Sequence, residues 1–176
     1  MPYYYSNDSG RRGGFLSNVP SVTRNLVIIN CIVFVATLIN KGFMYETFAL
    51  FYPTSPFFHW WQIVSHMFMH GGFWHIFFNM YTLVMFGTVV ENYIGPKKFL
   101  LFYFICGLGA AGLHLGVEFF QMQSFMESAA LGHSGAMQNI STIKLTPTVG
   151  ASGAIYGLLI AYPMIFPESR KTLIFP

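Results

Sequence analysis

The chain has 176 residues, of which 54% are hydrophobic, 19% aromatic and only 9% Asp, Glu, Lys or Arg, and its net charge is +3. Soluble domains carry roughly 25% charged residues, so this composition cannot coat a water-soluble globule, and a bilayer is the expected solvent. The Lys and Arg are scattered, with no basic patch of interleaved aromatics, which argues against nucleic acid as a partner.

In chain order, residues 1–24, "MPYYYSNDSGRRGGFLSNVPSVTR", are polar and Gly-rich and lack the apolar core of a signal peptide. They are expected to form a loose leader ahead of a membrane domain over 25–176. Four apolar segments follow, at about 25–39, 65–94, 99–120 and 150–166. A span needs about 20 residues to cross some 30 Å of hydrocarbon. The fourth is at the low limit, so its start is expected below the membrane surface. Between the first two, 41–64 is rich in Trp, Tyr, Phe and Pro and reads as a structure lying in the interface. "GPKK", Gly95 to Lys98, is a tight turn, 121–149 is a longer connection of polar and small residues, and "PESRK" follows the fourth segment. The class is an all-α polytopic membrane protein.

Orientation follows from the basic residues. With the N-terminus in the cytoplasm, Arg11, Arg12, Arg24, Lys97, Lys98, Arg170 and Lys171 lie inside, against Lys41 and Lys144 outside. The aromatic loop and 121–149 then face outward. Cys31 and Cys106 fall inside apolar runs and read as small core hydrophobes, neither a disulfide nor metal ligands. Gly112-x-x-x-Gly116 and Gly153-x-x-x-Gly157 are small-residue pairs that let spans approach closely.

Polar side chains inside lipid are costly and want a reason. In the second segment, read as one helix, His75 and Asn79 share a face, and so do His66 and His70, with His70 and His75 about 140° apart. A zinc site at His66 and His70 lacks H-E-x-x-H, a nearby carboxylate and Cys. A haem held between His75 and His114 is a second reading. Structural histidines that cap a loop and bridge helices are a third, favoured for His66 and His70. For His75 with Asn79 a catalytic reading is favoured: a hydrolase acting on an amide must stabilise an oxyanion, and His and Asn side chains can donate to one. Ser152, between Gly150 and Gly153 at the mouth of the fourth segment, would be presented on an uncrowded backbone at a positive helix end. Its plain alternative is a helix N-cap serine. Tyr156 lies one turn on, on the same face.

Together, "HMFMHGGFWHIFFNM", "GTVVENYIG" and "GASGAIYGLL" resemble the rhomboid intramembrane serine proteases, in the right order, over about 20–170. The resemblance implies a rhomboid-like helical bundle with the first four of six transmembrane helices present. It implies that Ser152 is the nucleophile, that His75 and Asn79 help form the oxyanion hole, and that Gly150 and Gly153 are the motif glycines. Tyr156 would be the aromatic that stacks on the catalytic histidine, His70 a supporting residue, and Glu91 a structural carboxylate near the inner end of the second span. No metal or organic cofactor is implied. The substrates would be single-span membrane proteins, and the place a bacterial plasma membrane. Two departures stand out. The family's Trp-Arg in the first loop is Trp61-Gln62 here, which is expected to weaken a loop-bracing interaction. The family's base, a histidine on the sixth span, lies outside these 176 residues. The stretch by itself is therefore expected to be inert and unstable, with the Gly153/Gly157 face partly unpacked. The alternative function is an inert protein of the same fold that binds membrane clients.

Overall fold

The structure is a computed structural model that describes residues 18–167. Most of the leader, with Arg11 and Arg12, and the "PESRK" turn from Glu168 on, with Arg170 and Lys171, lie outside the described residues. Within them the protein is a bundle of helices with no strand.

Helix α1, Ser21–Ile39, begins four residues before the apolar run does. Its N-terminus has Pro20 at the cap position and no side-chain cap of its own. The cap comes from across the bundle: Val22 N donates to Glu91 Oε1 at 3.0 Å and Thr23 N to Glu91 Oε2 at 2.7 Å. A helix start leaves orphan N–H groups and a positive dipole end, and a carboxylate answers both. A cap arriving from 68 positions away leaves no local signal, which is why Ser21 to Arg24 read as leader in the sequence.

The interface loop is ordered. Helix α2, Lys41–Phe48, is capped by Asn40 Oδ1, which accepts from Phe43 N at 3.2 Å. After a run of turns comes α3, Gln62–Ser65, continued by a 3-10 turn over His66–Phe68. Fully buried Gln62 holds the loop together. Its Nε2 donates to the carbonyls of Phe57 at 2.8 Å, Glu46 at 3.0 Å and Thr47 at 3.5 Å, and its Oε1 accepts from His59 N at 3.1 Å and Phe51 N at 3.4 Å. Trp61 Nε1 adds a bond to Thr47 O at 2.8 Å. The neutral amide at Trp61-Gln62, having both donors and an acceptor, still braces the loop, bonding its carbonyls and its amides at once.

The second apolar segment is not one helix. It is extended at Met69 and bends through Gly71 and Gly72 before α4, Phe73–Thr82, starts. Two successive glycines give a helix little support. From Phe73 the span runs 22 residues to Ile94, through a π-helical turn at Leu83–Gly87 and on into α5, Thr88–Ile94. At Gly87 an added Cβ would lie 3.1 Å from Thr23 Oγ1 and 3.2 Å from Phe99 Cζ, so neighbouring elements close on that turn.

Gly95, at φ +84°, makes the tight turn, and Pro96 opens α6, Pro96–Ala130. At 35 residues this helix is about 52 Å long. It continues ten residues past the expected end at 120, because Gln, Met, Glu and Ala sustain a helix where hydropathy has already fallen. The rest of the connection holds α7, Ala136–Leu145.

Helix α8, Ser152–Ile165, has 14 residues, or about 21 Å against 30 Å of hydrocarbon. It packs on α6. A Cβ at Gly153 would lie 2.5 Å from Ala110 Cβ, and one at Gly157 would lie 2.7 Å from Cys106 Cβ. This face, expected to be partly unpacked, is closed, because the partner glycine, alanine and cysteine belong to α6. The other pair differs: nothing lies within 4 Å of a Cβ added at Gly112 or Gly116. Cys106 is a packing residue as expected, whereas Cys31 is exposed on α1. The core joins Leu26, Met80, Leu83, Phe99, Tyr103 and Leu158, and Phe99, Tyr103 and Leu158 are wholly buried.

Three helices, Ser21–Ile39, Phe73–Ile94 and Pro96–Ala130, are long and apolar enough to cross a membrane, and α8 is shorter. Truncating the cross-bundle cap in Glu91→Ala strips acceptors from two backbone amides. It should destabilise the bundle by about 1–3 kcal/mol, read as a lower unfolding midpoint in detergent, with Glu91→Gln intermediate.

Candidate active site

Ser152 is reached through an irregular segment from Thr146 to Ala151. Thr148 and Leu50 exchange backbone bonds of 2.8 and 2.9 Å, an isolated antiparallel bridge to the interface loop. Two residues on, Gly150 N donates to His66 O at 2.9 Å. Gly150 has φ +131°, a conformation that suits glycine alone. Ser152 is then the first residue of α8, with Ala151 in the cap position and no side-chain cap. That sets aside the N-cap reading of Ser152: the serine sits one position too late.

His75 comes to the same point from the first turn of α4. A Cβ built on Gly150 would lie 2.9 Å from His75 Nε2, 2.9 Å from its Cε1 and 3.5 Å from Ser152 Oγ. Glycine at 150 is therefore required twice, by backbone conformation and by the imidazole that occupies the space of a side chain. The other ring nitrogen, Nδ1, accepts a long bond of 3.4 Å from Gly71 N. A neutral imidazole carries one N–H, so Nδ1 as acceptor puts the hydrogen on Nε2, the atom beside Gly150. His75 thus offers a donor on the Ser152 side. Asn79, one turn along the same helix, is buried, and its Nδ2 has no hydrogen-bond partner among the described residues. A buried amide donor without a partner is unusual and marks a place for an acceptor.

The other histidines separate. His66 lies in the 3-10 turn and His70 in the bend that follows, so the face they were expected to share on a continuous helix does not exist. Nor are His70 and His75 turned apart: their rings meet edge to face at 5.0 Å. His66 Nδ1 donates to Gln62 O at 2.9 Å. Burial lowers the pKa of His66. His70 is buried, and burial, with His75 second, holds it down to about 4 against a small opposing effect of the Phe68 backbone. Its role is packing beside His75. Glu91 is spent on the α1 cap, far along the span from Ser152.

A cavity of about 260 Å³ is lined by Ser152, Gly150, Thr148, His66, His114 and Tyr156. Tyr156 is 66% exposed, so its ring is free at the cavity rim. His114 and Thr148 were missed as site residues in the sequence. His114 had been weighed only as a haem ligand with His75. Thr148 Oγ1 is 2.7 Å from His114 Nε2, and Gly150 abuts His75, so the segment 148–150 engages both rings. Among the described residues no group of three or more His, Cys, Asp or Glu could hold a metal ion.

The family model of the Rhomboid domain matches residues 58–176, more than half of the chain. The chain belongs to the rhomboid family. Similar proteins include the putative rhomboid protease YdcA of Bacillus subtilis, 31% identical over 58% of this chain and 40% of that protein. Rhomboid protease AarA of Providencia stuartii is 30% identical over 58% of this chain and 33% of that protein. Rhomboid-like protein 15 of Arabidopsis thaliana is 24% identical over 89% of this chain and 41% of that protein. The chain therefore spans about two fifths of the length of these relatives, or less. The rhomboid match includes His75, Asn79 and Ser152; His75 and Ser152 flank Gly150, and Asn79 follows His75 one turn along α4.

Two outcomes follow. In Gly150→Ala the new Cβ meets His75 and the backbone is strained, so stability should fall by about 1–3 kcal/mol, seen as a lower unfolding midpoint, and double substitution with His75→Ala should recover part of the loss. His70 provides a pH test. Its folded pKa lies below the ordinary value of 6.5, at about 4. The unfolded chain therefore takes up a proton that the folded chain refuses, and stability is lost as the pH falls from about 6.5 towards 4. The fall of the unfolding midpoint over that range should be shallower in His70→Leu.

Proposed function

We propose that this rhomboid domain serves an intramembrane serine endopeptidase, with Ser152 as nucleophile. The observation that carries the reading is that His75 Nε2 and Ser152 Oγ both flank Gly150, 2.9 and 3.5 Å from where its Cβ would lie. Ser152 Oγ attacks the carbonyl carbon of the scissile peptide and gives its proton to a base. Charge builds on the carbonyl oxygen, and the donors for it are His75 Nε2–H, Asn79 Nδ2 and the Ser152 backbone N–H. The tetrahedral intermediate collapses, the base returns the proton to the leaving amine, and an acyl-serine ester remains. Water then attacks the ester, releases the carboxylate and restores the serine. Serine at its ordinary pKa needs such a base. The resemblance assigns that role to a histidine on a later span, beyond these 176 residues. His75 is poorly suited to it, since its Nε2 carries a hydrogen while Nδ1 accepts from Gly71.

The substrate class we propose is a single-span membrane protein cut in or near its span. The short α8 supports this, since its 14 residues begin beside a cavity of about 260 Å³. The proposed orientation keeps the N-terminus in the cytoplasm of a plasma membrane. Glu91 ties the start of α1 to the α5 end, so Arg24, Lys97 and Lys98 share one face, while Lys41 and Lys144 belong to the other. Relatives such as rhomboid protein 1 of Saccharomyces cerevisiae are described as mitochondrial, so the same reading serves a mitochondrial membrane.

The test uses the full-length protein in lipid nanodiscs with a fluorophosphonate probe and a single-span reporter. Wild type should label at Ser152 and cleave, and Ser152→Ala should do neither. His75→Ala and Asn79→Ala should each lower kcat by about 10²–10³. Stable wild-type protein that neither labels nor cleaves would instead favour an inert client-binding role.

A further inference from the structure

The segment that delivers Ser152 is held on one side by backbone and on the other by a side chain. The backbone bonds, Thr148 with Leu50 and Gly150 with His66, tie it to the interface loop and the 3-10 turn. Its tie to the third span is His114, 34 positions earlier on α6, whose Nε2 stands 2.7 Å from Thr148 Oγ1. One turn along α6, Glu118 Oε1 is 3.4 Å from the same Nε2, and the Glu118 side chain is only 14% exposed. A carboxylate beside Nε2 favours the tautomer with the hydrogen there, so Nε2–H donates and the Thr148 hydroxyl accepts. His114 is also a wall of the cavity that holds Ser152.

The arrangement has a mechanical consequence. Helix α8 already rides on α6 through Gly153 and Gly157. The segment ahead of α8 is hydrogen-bonded to the loop at Leu50 and to His66, elements that meet α6 through side-chain packing, Met67 on Gly107, Phe68 on Phe104 and Tyr52 beside Met122. A bond from α6 to Thr148 closes the frame, so the segment and the helix it feeds share one support. We propose that His114, oriented by Glu118, is a positioning residue for Ser152: by locking Thr148 to α6 it keeps the nucleophile in register with the His75 and Asn79 donors. The catalytic consequence rests on the protease reading, while the positioning itself does not. Displacing a nucleophile by about 1 Å can cost about 100-fold in rate.

The experiment uses the full-length protein in nanodiscs, as wild type, His114→Ala, His114→Gln, Thr148→Val and the His114→Ala/Thr148→Val double variant. Hydrogen exchange of the amides at 148–152 is read first, because it needs no activity. Both single variants should speed exchange there by about 3- to 10-fold, with α1 unchanged. The double variant should exchange no faster than either single, and His114→Gln, whose amide still donates, should return close to wild type. With a single-span reporter, kcat should fall by about 10- to 100-fold in His114→Ala while KM holds, and His114→Gln should recover most of it. Unchanged exchange at 148–152 in the single variants overturns the proposal, as does an additive double variant or failure of glutamine to restore. If His114→Ala loosens the whole bundle, Thr148→Val, which removes one hydroxyl, decides by the same reading. A wild type that does not cleave refutes the protease reading alone, and the exchange data still decide the role of His114.

Discussion

Non-helical chain at membrane depth must find partners for the backbone groups that a helix would satisfy internally. The segment from Thr146 to Ala151 is non-helical, and much of the molecule is arranged around its backbone partners. Leu50 pairs with Thr148, and His66 accepts from Gly150. Leu50 can serve only because the interface loop is itself rigid, and that rigidity comes from Gln62, which bonds five loop backbone groups from a fully buried position. His66 can serve because its own ring is fixed on Gln62 O. Gln62 thus stands behind both supports of the segment that carries Ser152, the loop through its side-chain amide and His66 through its backbone carbonyl.

Packing supplies the second half of the arrangement. In lipid there is no hydrophobic force between spans, and close contact depends on small residues that let backbones approach. Gly153 and Gly157 do this against Ala110 and Cys106. A helix of 14 residues, at about 21 Å, is shorter than the hydrocarbon layer, and the cavity beside Ser152 lies at its N-terminal end.

The site gains its chemical direction from a weak contact. Gly71 N on His75 Nδ1 is a long bond, yet it decides which ring nitrogen carries the hydrogen and so whether His75 donates or accepts beside Ser152. The same bend, Gly71–Gly72, breaks the second apolar segment and lets His70 fold back against His75. The glycines that the motif places between the two histidines therefore set both the ring contact and the tautomer.

Much of this was legible in the residues alone. Low charge and long apolar runs dictated a membrane bundle, because lipid tolerates little else. The fourth segment is short in the sequence and in the structure alike. Ser152, His75 and Asn79 stood out because polar groups in lipid need a reason, and Gly153-x-x-x-Gly157 announced a close approach. What the residues alone did not reveal depends on partners far apart in sequence. The cap of α1 by Glu91, the bracing by Gln62 and the bond between His114 and Thr148 join positions from 11 to 69 apart, except for the nearer of the Gln62 contacts. The histidine faces were misjudged because a helical wheel assumes an unbroken helix, and α6 was drawn too short because hydropathy marks where lipid ends, whereas a helix ends where its backbone bonds do. Local composition determined which solvent this chain requires and which side chains are too costly to be idle; only the tertiary structure decided which of them meet, since hydrogen bonds and close packing act over a few ångströms and are indifferent to distance along the chain.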